Sequence, residues 1–218
     1  MAYAPEFNQR IVTGASLSVA AIGLFLLPYW LFALFALAVL FFILTREWPR
    51  LFSMKDPRFW FVFPFYPLLS ILLMLYLQYA GYEILNLMTV ALVGAHDSGS
   101  YLIGKHMGRT LINRNISPAK TWEGFAGGVI ASLLFSLVFF GHTSGQALVR
   151  KVFPFVLTLN GAALAGDLFE SSLKRSAGLK DSGSLLPGHG GILDRIDGIL
   201  FAIVVVFLAR DWLWTLLF

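Results

Sequence analysis

The stretch DRIDGILFAIVVVFLARDWLWTLLF, residues 194–218, sets two carboxylates at the mouth of an apolar run, with no charge between Asp197 and Arg210. An apolar block over about 198–217 has the length that crosses the hydrocarbon of a bilayer, roughly 20 residues. Asp194 and Asp197 are three apart, so on a helix both carboxylates share a face. Ile196, Ile199, Leu200 and Ile203 carry that helix into the membrane.

Composition extends this reading to the whole chain. Hydrophobic residues make up 58% and charged residues 13%, with a mean hydropathy of +0.76. A water-soluble domain carries about 25% charged residues. Further apolar stretches lie at about 11–27, 29–45, 59–79, 84–104, 125–141 and 152–168, which predicts an all-α polytopic membrane protein of about seven transmembrane helices. The first stretch, with Arg10 ahead of it, is read as a span rather than a cleaved leader, because no small-residue cleavage site precedes a soluble domain. The absence of Cys excludes a disulfide framework and a thiolate metal site.

Lys and Arg are divided unevenly between the connections. With seven spans and the N-terminus inside, thirteen of the sixteen fall on the inner side and three, Arg150, Lys151 and Arg210, on the outer. The excess marks the cytoplasmic side, so the polar loops 105–124 and 169–197 are expected to face the cytoplasm. Aromatic-rich Phe59–Tyr66, with Trp60, reads either as an interfacial anchor or as ordinary lipid-facing packing, and Trp212 and Trp214 read likewise on the other side.

Both polar loops hold candidate chemistry. Asp194 and Asp197, with Asp167 at the end of the sixth stretch, suit a hard cation such as Mg²⁺, which takes carboxylate oxygens and keeps sites for water and phosphate. The same acids suit structural ion pairs with Arg195, Lys174 or Arg175. Asp97 interrupts the fourth stretch, and an acid at that depth marks function. PGHGG, residues 187–191, reads as a turn or as a phosphate-facing loop before a helix start. Lys174, Arg175 and Lys180 would attract polyphosphate or an anionic lipid surface.

The run SSLKRSAGLKDSGSLLPGHGGILDRID, from Ser171 to Asp197, resembles the C-terminal signature of the CDP-diacylglycerol synthases, also called phosphatidate cytidylyltransferases. DSGSYLIGKHMGR from Asp97, ISPAKTWEGFAGG from Ile116 and TREWPRL after the second stretch are similar to the family's upstream motifs. Ala119 stands where the family usually has a second lysine, and Ser100 where alanine is common. At 218 residues the chain is short for the family, with one helix pair fewer between the second stretch and Asp97.

The resemblance implies transfer of CMP from CTP to phosphatidate with release of pyrophosphate, requiring Mg²⁺, with a second cation such as K⁺ proposed beside it in the family. It implies Asp167, Asp194 and Asp197 as metal ligands. Lys174, Arg175 and Lys180 would neutralise the triphosphate and the leaving pyrophosphate, and Asp181 would either orient Lys180 or hold groups around the bound cation. Gly188, His189, Gly190 and Gly191 would form the phosphate-facing loop, with His189 as a base the weaker reading. Ser117, Lys120, Thr121, Glu123 and Asp97 would line the substrate side.

On this basis residues 1–80 form an N-terminal membrane part of about three spans, and 81–218 a catalytic membrane part. The implied partners are CTP, phosphatidate and the lipid bilayer of a bacterial inner membrane. No nucleic acid is expected, and a homodimer is compatible. A CTP-dependent lipid kinase, an ion pathway and an inactive scaffold are the competing readings of the same acids and basic loops.

Overall fold

The computed structural model describes residues 23–25, 27–185 and 190–218. The span expected at 11–27 lies mostly outside them, as do Gly188 and His189. Six long helices follow: α1 (Tyr29–Leu51), α2 (Pro57–Tyr79), α3 (Glu83–Met107), α4 (Trp122–Phe140), α5 (Gly145–Ser176) and α6 (Leu193–Leu217). All but α3 are long and apolar enough to cross a membrane. Helix α3 is as long as α6, at 25 residues, but carries Asn86, His96, Asp97 and Lys105. Its polar second half contributes to the cavity described below.

The two polar loops are shorter than expected. Between α3 and α4 the chain forms an antiparallel hairpin, β1 (Leu111–Asn113) and β2 (Ser117–Thr121), with Leu111 opposite Thr121 and Asn113 opposite Ser117. The Asn113 side chain closes its turn by accepting from the N–H groups of Asn115 (3.1 Å) and Ile116 (3.2 Å). Thr121 then caps α4, its hydroxyl accepting from Gly124 N–H at 3.1 Å. In the second loop, α5 continues to Ser176 and α6 begins at Leu193. The added turns place Glu170 and Lys174 four apart, where they pair at 2.5 Å.

Two buried clusters hold the helices together. One joins α2, α3, α5 and α6 through Leu77, Met88, Leu159, Ile203 and Val206. The other joins α1, α2 and α6 through Phe32, Trp48, Phe59, Tyr66, Leu193 and Leu200. Trp48 is fully buried, and its indole donates to Phe59 O at 3.0 Å, satisfying the one polar atom that burial would otherwise leave alone. Phe59–Tyr66 is split: Phe59 and Tyr66 are buried, while Trp60, Phe61 and Phe65 are exposed. Near the far end, Trp214 stacks edge-on against Tyr82 with centroids 5.0 Å apart.

Small residues bring the polar halves of the helices close, as membrane interfaces require where burial of apolar area from lipid gains little. A Cβ on Gly128 of α4 would meet His96 Nδ1 of α3 at 2.5 Å. One on Gly166 of α5 would meet Asp197 O of α6 at 2.5 Å. The second contact sets Asp167 beside the α6 N-terminal turn.

Candidate active site

A cavity of about 370 Å³ opens where α3, β2, α4, α5 and α6 meet. Asp97 and Ser100 come from α3, Lys120 from β2, Asp167 and Ser171 from α5, and Asp194, Arg195 and Asp197 from α6. Four carboxylates and two cations thus share one wall, with Ile112, Phe125 and Leu164 as apolar neighbours. Six elements, β1 included, deliver these groups to the same end of the helix bundle.

Lys120 and Asp167 form an ion pair across the cavity. Burial pushes the Lys120 ammonium below the usual lysine range, although the charges of Asp197 and Asp97 pull the other way. Among the described residues, Asp97 and Asp197 have no ion pair. The donor set fits a hard cation in kind, because oxygen ligands of negative charge outnumber the cations beside them. In this arrangement Lys120 holds Asp167, and among the described residues no three acidic or His side chains converge as a metal cluster.

Asp194 is different. Its carboxylate accepts from Lys174 Nζ (2.7 Å), Ser182 N–H (2.9 Å), the Ser182 hydroxyl (3.0 Å) and Gly191 N–H (2.7 Å). The ion-pair reading therefore holds for Asp194 with Lys174. Lys174 also reaches Glu170, whose carboxylate is fully buried and whose Oε1 receives no donor among the described residues.

Glu47 completes this part of the site, and sequence reasoning missed it. It is buried at 1% exposure, at the end of a π-turn, Ile43–Glu47, inside α1. Its carboxylate accepts from Ile192 N–H (2.7 Å) and Leu193 N–H (2.8 Å), with the Ser182 hydroxyl at 3.4 Å. These are first-turn donors of α6 that no intrahelical acceptor satisfies, so a carboxylate from α1 caps the helix that bears Asp194 and Asp197. A charged residue immediately before Trp-Pro at the end of an apolar stretch was the available signal.

Gly190 and Gly191, the described end of the glycine loop, pack closely against these carboxylates. A Cβ on Gly191 would meet Ser182 Oγ at 2.4 Å and Glu47 Oε1 at 2.5 Å, and Gly190 adopts φ +81°. The N–H of Gly191 and those of the α6 first turn, expected to face phosphate, are taken by Asp194 and Glu47. Protein carboxylates already fill the anion site that the helix start creates.

The remaining expected residues divide. Asp97, Lys120, Thr121, Asp167, Asp194 and Asp197 come together at the cavity. Lys174 is buried behind them. Arg175, Lys180 and Asp181 are exposed and outside the cavity wall, Arg175 donating to Leu179 O at 3.0 Å. Ser117 lies on β2 away from the wall. Glu123 also lies off it, because both its oxygens hold the N–H groups of Arg109 and Thr110 at 3.1–3.2 Å and so tie the end of α3 to the start of α4.

The model of the cytidylyltransferase family matches residues 61–213. Proteins named phosphatidate cytidylyltransferase are similar to this chain. That of Haemophilus influenzae is 44% identical over 51% of this chain and 40% of its own length. That of Helicobacter pylori strain J99 is 42% identical over 66% and 54%, and that of Thermotoga maritima 41% over 64% and 53%. The chain spans about half the length of the curated relatives it matches. The family match covers more than half of the chain and contains every residue of the cavity wall, and the chain belongs to the cytidylyltransferase family.

Proposed function

We propose that the protein is a nucleotidyltransferase that moves CMP from CTP to phosphatidate, giving CDP-diacylglycerol and pyrophosphate in phospholipid synthesis. The observation that carries this reading is the convergence of Asp97, Lys120, Asp167 and Asp197 on one cavity at the polar end of membrane helices. The names of its relatives support it. One substrate has two acyl chains and stays in the bilayer, while the other is a triphosphate that stays in water, so the reaction belongs at such an interface.

A phosphatidate phosphate oxygen forms the new bond to the α-phosphorus of CTP, and the bond to the pyrophosphate oxygen breaks in line. The attacking phosphate is ionised at neutral pH, with a second pKa of about 6, so no general base is required. The protein's work is positioning and charge neutralisation. Lys120 supplies an ammonium to phosphate oxygens and frees Asp167 when it does so. Mg²⁺, with K⁺ as a candidate second cation, would take carboxylate oxygens of Asp197 and, once Lys120 turns to phosphate, of Asp167; bound metal neutralises phosphate charge and fixes the reacting groups. Asp194 would join them only by giving up Ser182 and Gly191, and its role here is to hold the loop and Lys174.

The side of the membrane is read from charge. Arg46, Arg50, Lys55, Arg58, Lys105, Arg109, Arg114, Lys174, Arg175, Lys180 and Arg195 lie toward the cavity end of the bundle, which supports a cytoplasmic site in a bacterial inner membrane. The test is purified protein with phosphatidate, Mg²⁺ and CTP labelled separately at the α- and γ-phosphates. Label from the α-position in lipid, with pyrophosphate released, is the expected result. Label from the γ-position in lipid would make the protein a kinase, and no transfer would leave a scaffold.

A further inference from the structure

A second cleft, of about 410 Å³, lies on the other side of the Glu47 cap and shares no lining residue with the cavity. It is bounded by Phe42, Arg46 and Arg50 of α1 and by Gly183, Ser184 and Leu185 of the connector before α6. Its volume is that of a small-ligand site. The π-turn at Ile43–Glu47 shapes it: Trp48 N–H reaches back five residues to Ile43 O, and such turns recur at functional sites. Glu47 and Trp48 are turned inward and buried, while Arg46 and Arg50, four apart, are exposed on the cleft side.

The charges of this cleft are not balanced among the described residues. Among the described residues Arg46 and Arg50 make no ion pair. The one carboxylate in the wall, Glu47, is 1% exposed and already accepts from Ile192 and Leu193. Two guanidinium groups therefore face a concave space where α1 leaves the membrane, with no anion among the described residues paired to them. Paired guanidinium forks match phosphate oxygens in charge and geometry.

We propose that the Arg46–Arg50 cleft is a phosphate-binding site separate from the cavity, taking the phosphate monoester of a lipid headgroup or free phosphate, and not the phosphodiester of phosphatidylcholine. It rests on neither CTP nor turnover and so stands or falls independently of the proposed reaction. General attraction of basic residues to an anionic surface would act equally on Lys55, which is exposed at the same end of the bundle and outside the cleft.

The experiment is hydrogen–deuterium exchange of residues 183–185 in the full chain, in phosphatidylcholine nanodiscs, with dioleoyl phosphatidate added in one arm and inorganic phosphate in the other. Exchange is expected to slow about tenfold with the phosphate compound, since charge-assisted hydrogen bonds from both guanidinium groups would hold it against the connector. R46Q/R50Q should lose the slowing, R46K/R50K should keep part of it, and K55Q should keep all of it. Slowing by lipid alone identifies a headgroup site, and slowing by both identifies a site for phosphate in general. No slowing in either arm, the same slowing in R46Q/R50Q, or equal loss in K55Q would overturn the proposal. If the double variant does not fold, R46Q and R50Q singly make the same comparison.

Discussion

The two acids of Asp-Arg-Ile-Asp sit one helical turn apart and live in different surroundings. Around Asp194, four protein donors and the neighbouring Glu47 cap form a closed, satisfied network that fixes the start of α6. Around Asp197, the cavity collects Asp97, Asp167, Lys120 and Arg195, and with Asp194 its four acids exceed its two cations. The difference teaches that residue type and spacing mark a site, but donor count decides which members build it and which remain available to a ligand.

The comparison can be broken most readily at Asp194. Asp194→Ala leaves Lys174 with Glu170 alone and orphans three donors of the loop, and removing one partner of a buried pair costs about 3–5 kcal/mol. Thermal unfolding in detergent should show a large fall in Tm. Glu47→Gln keeps the shape of the cap and replaces two acceptor oxygens by one, so a loss of about 1–3 kcal/mol is expected, again read as Tm. Gly191→Ala forces its methyl against Ser182 and Glu47 and should cost about 1–3 kcal/mol as an overpacked site. Arg150→Ala, exposed at the far end, should stay within about 0.5 kcal/mol and keep full turnover.

Much of this arrangement was legible in the sequence. Apolar blocks of spanning length gave α1, α2, α4, α5 and α6 within several residues, because hydrocarbon thickness sets their length. Asp97, Asp167 and Asp197 were legible as charges that an apolar chain would otherwise exclude, and Lys120 only through the family resemblance. The hairpin at 111–121 was not, since two strands of three and five residues leave no periodicity to read. Helix α5 outran its apolar stretch because Glu170–Ser176 continues a helix whose polar face turns to the site rather than to lipid. Glu47 escaped because its partners lie 145 and 146 residues away, and only the fold brings them together.

The measurement that bears most directly on the cavity as the reaction centre is transfer of α-labelled CMP to phosphatidate by Asp197→Asn, with Tm recorded on the same sample. The account predicts turnover lowered by about 100-fold or more, the scale of losing a charge-stabilising group in a catalytic site, with Tm close to that of the native protein. Native turnover in Asp197→Asn would contradict it, and the reaction would then have to be sought away from this cavity.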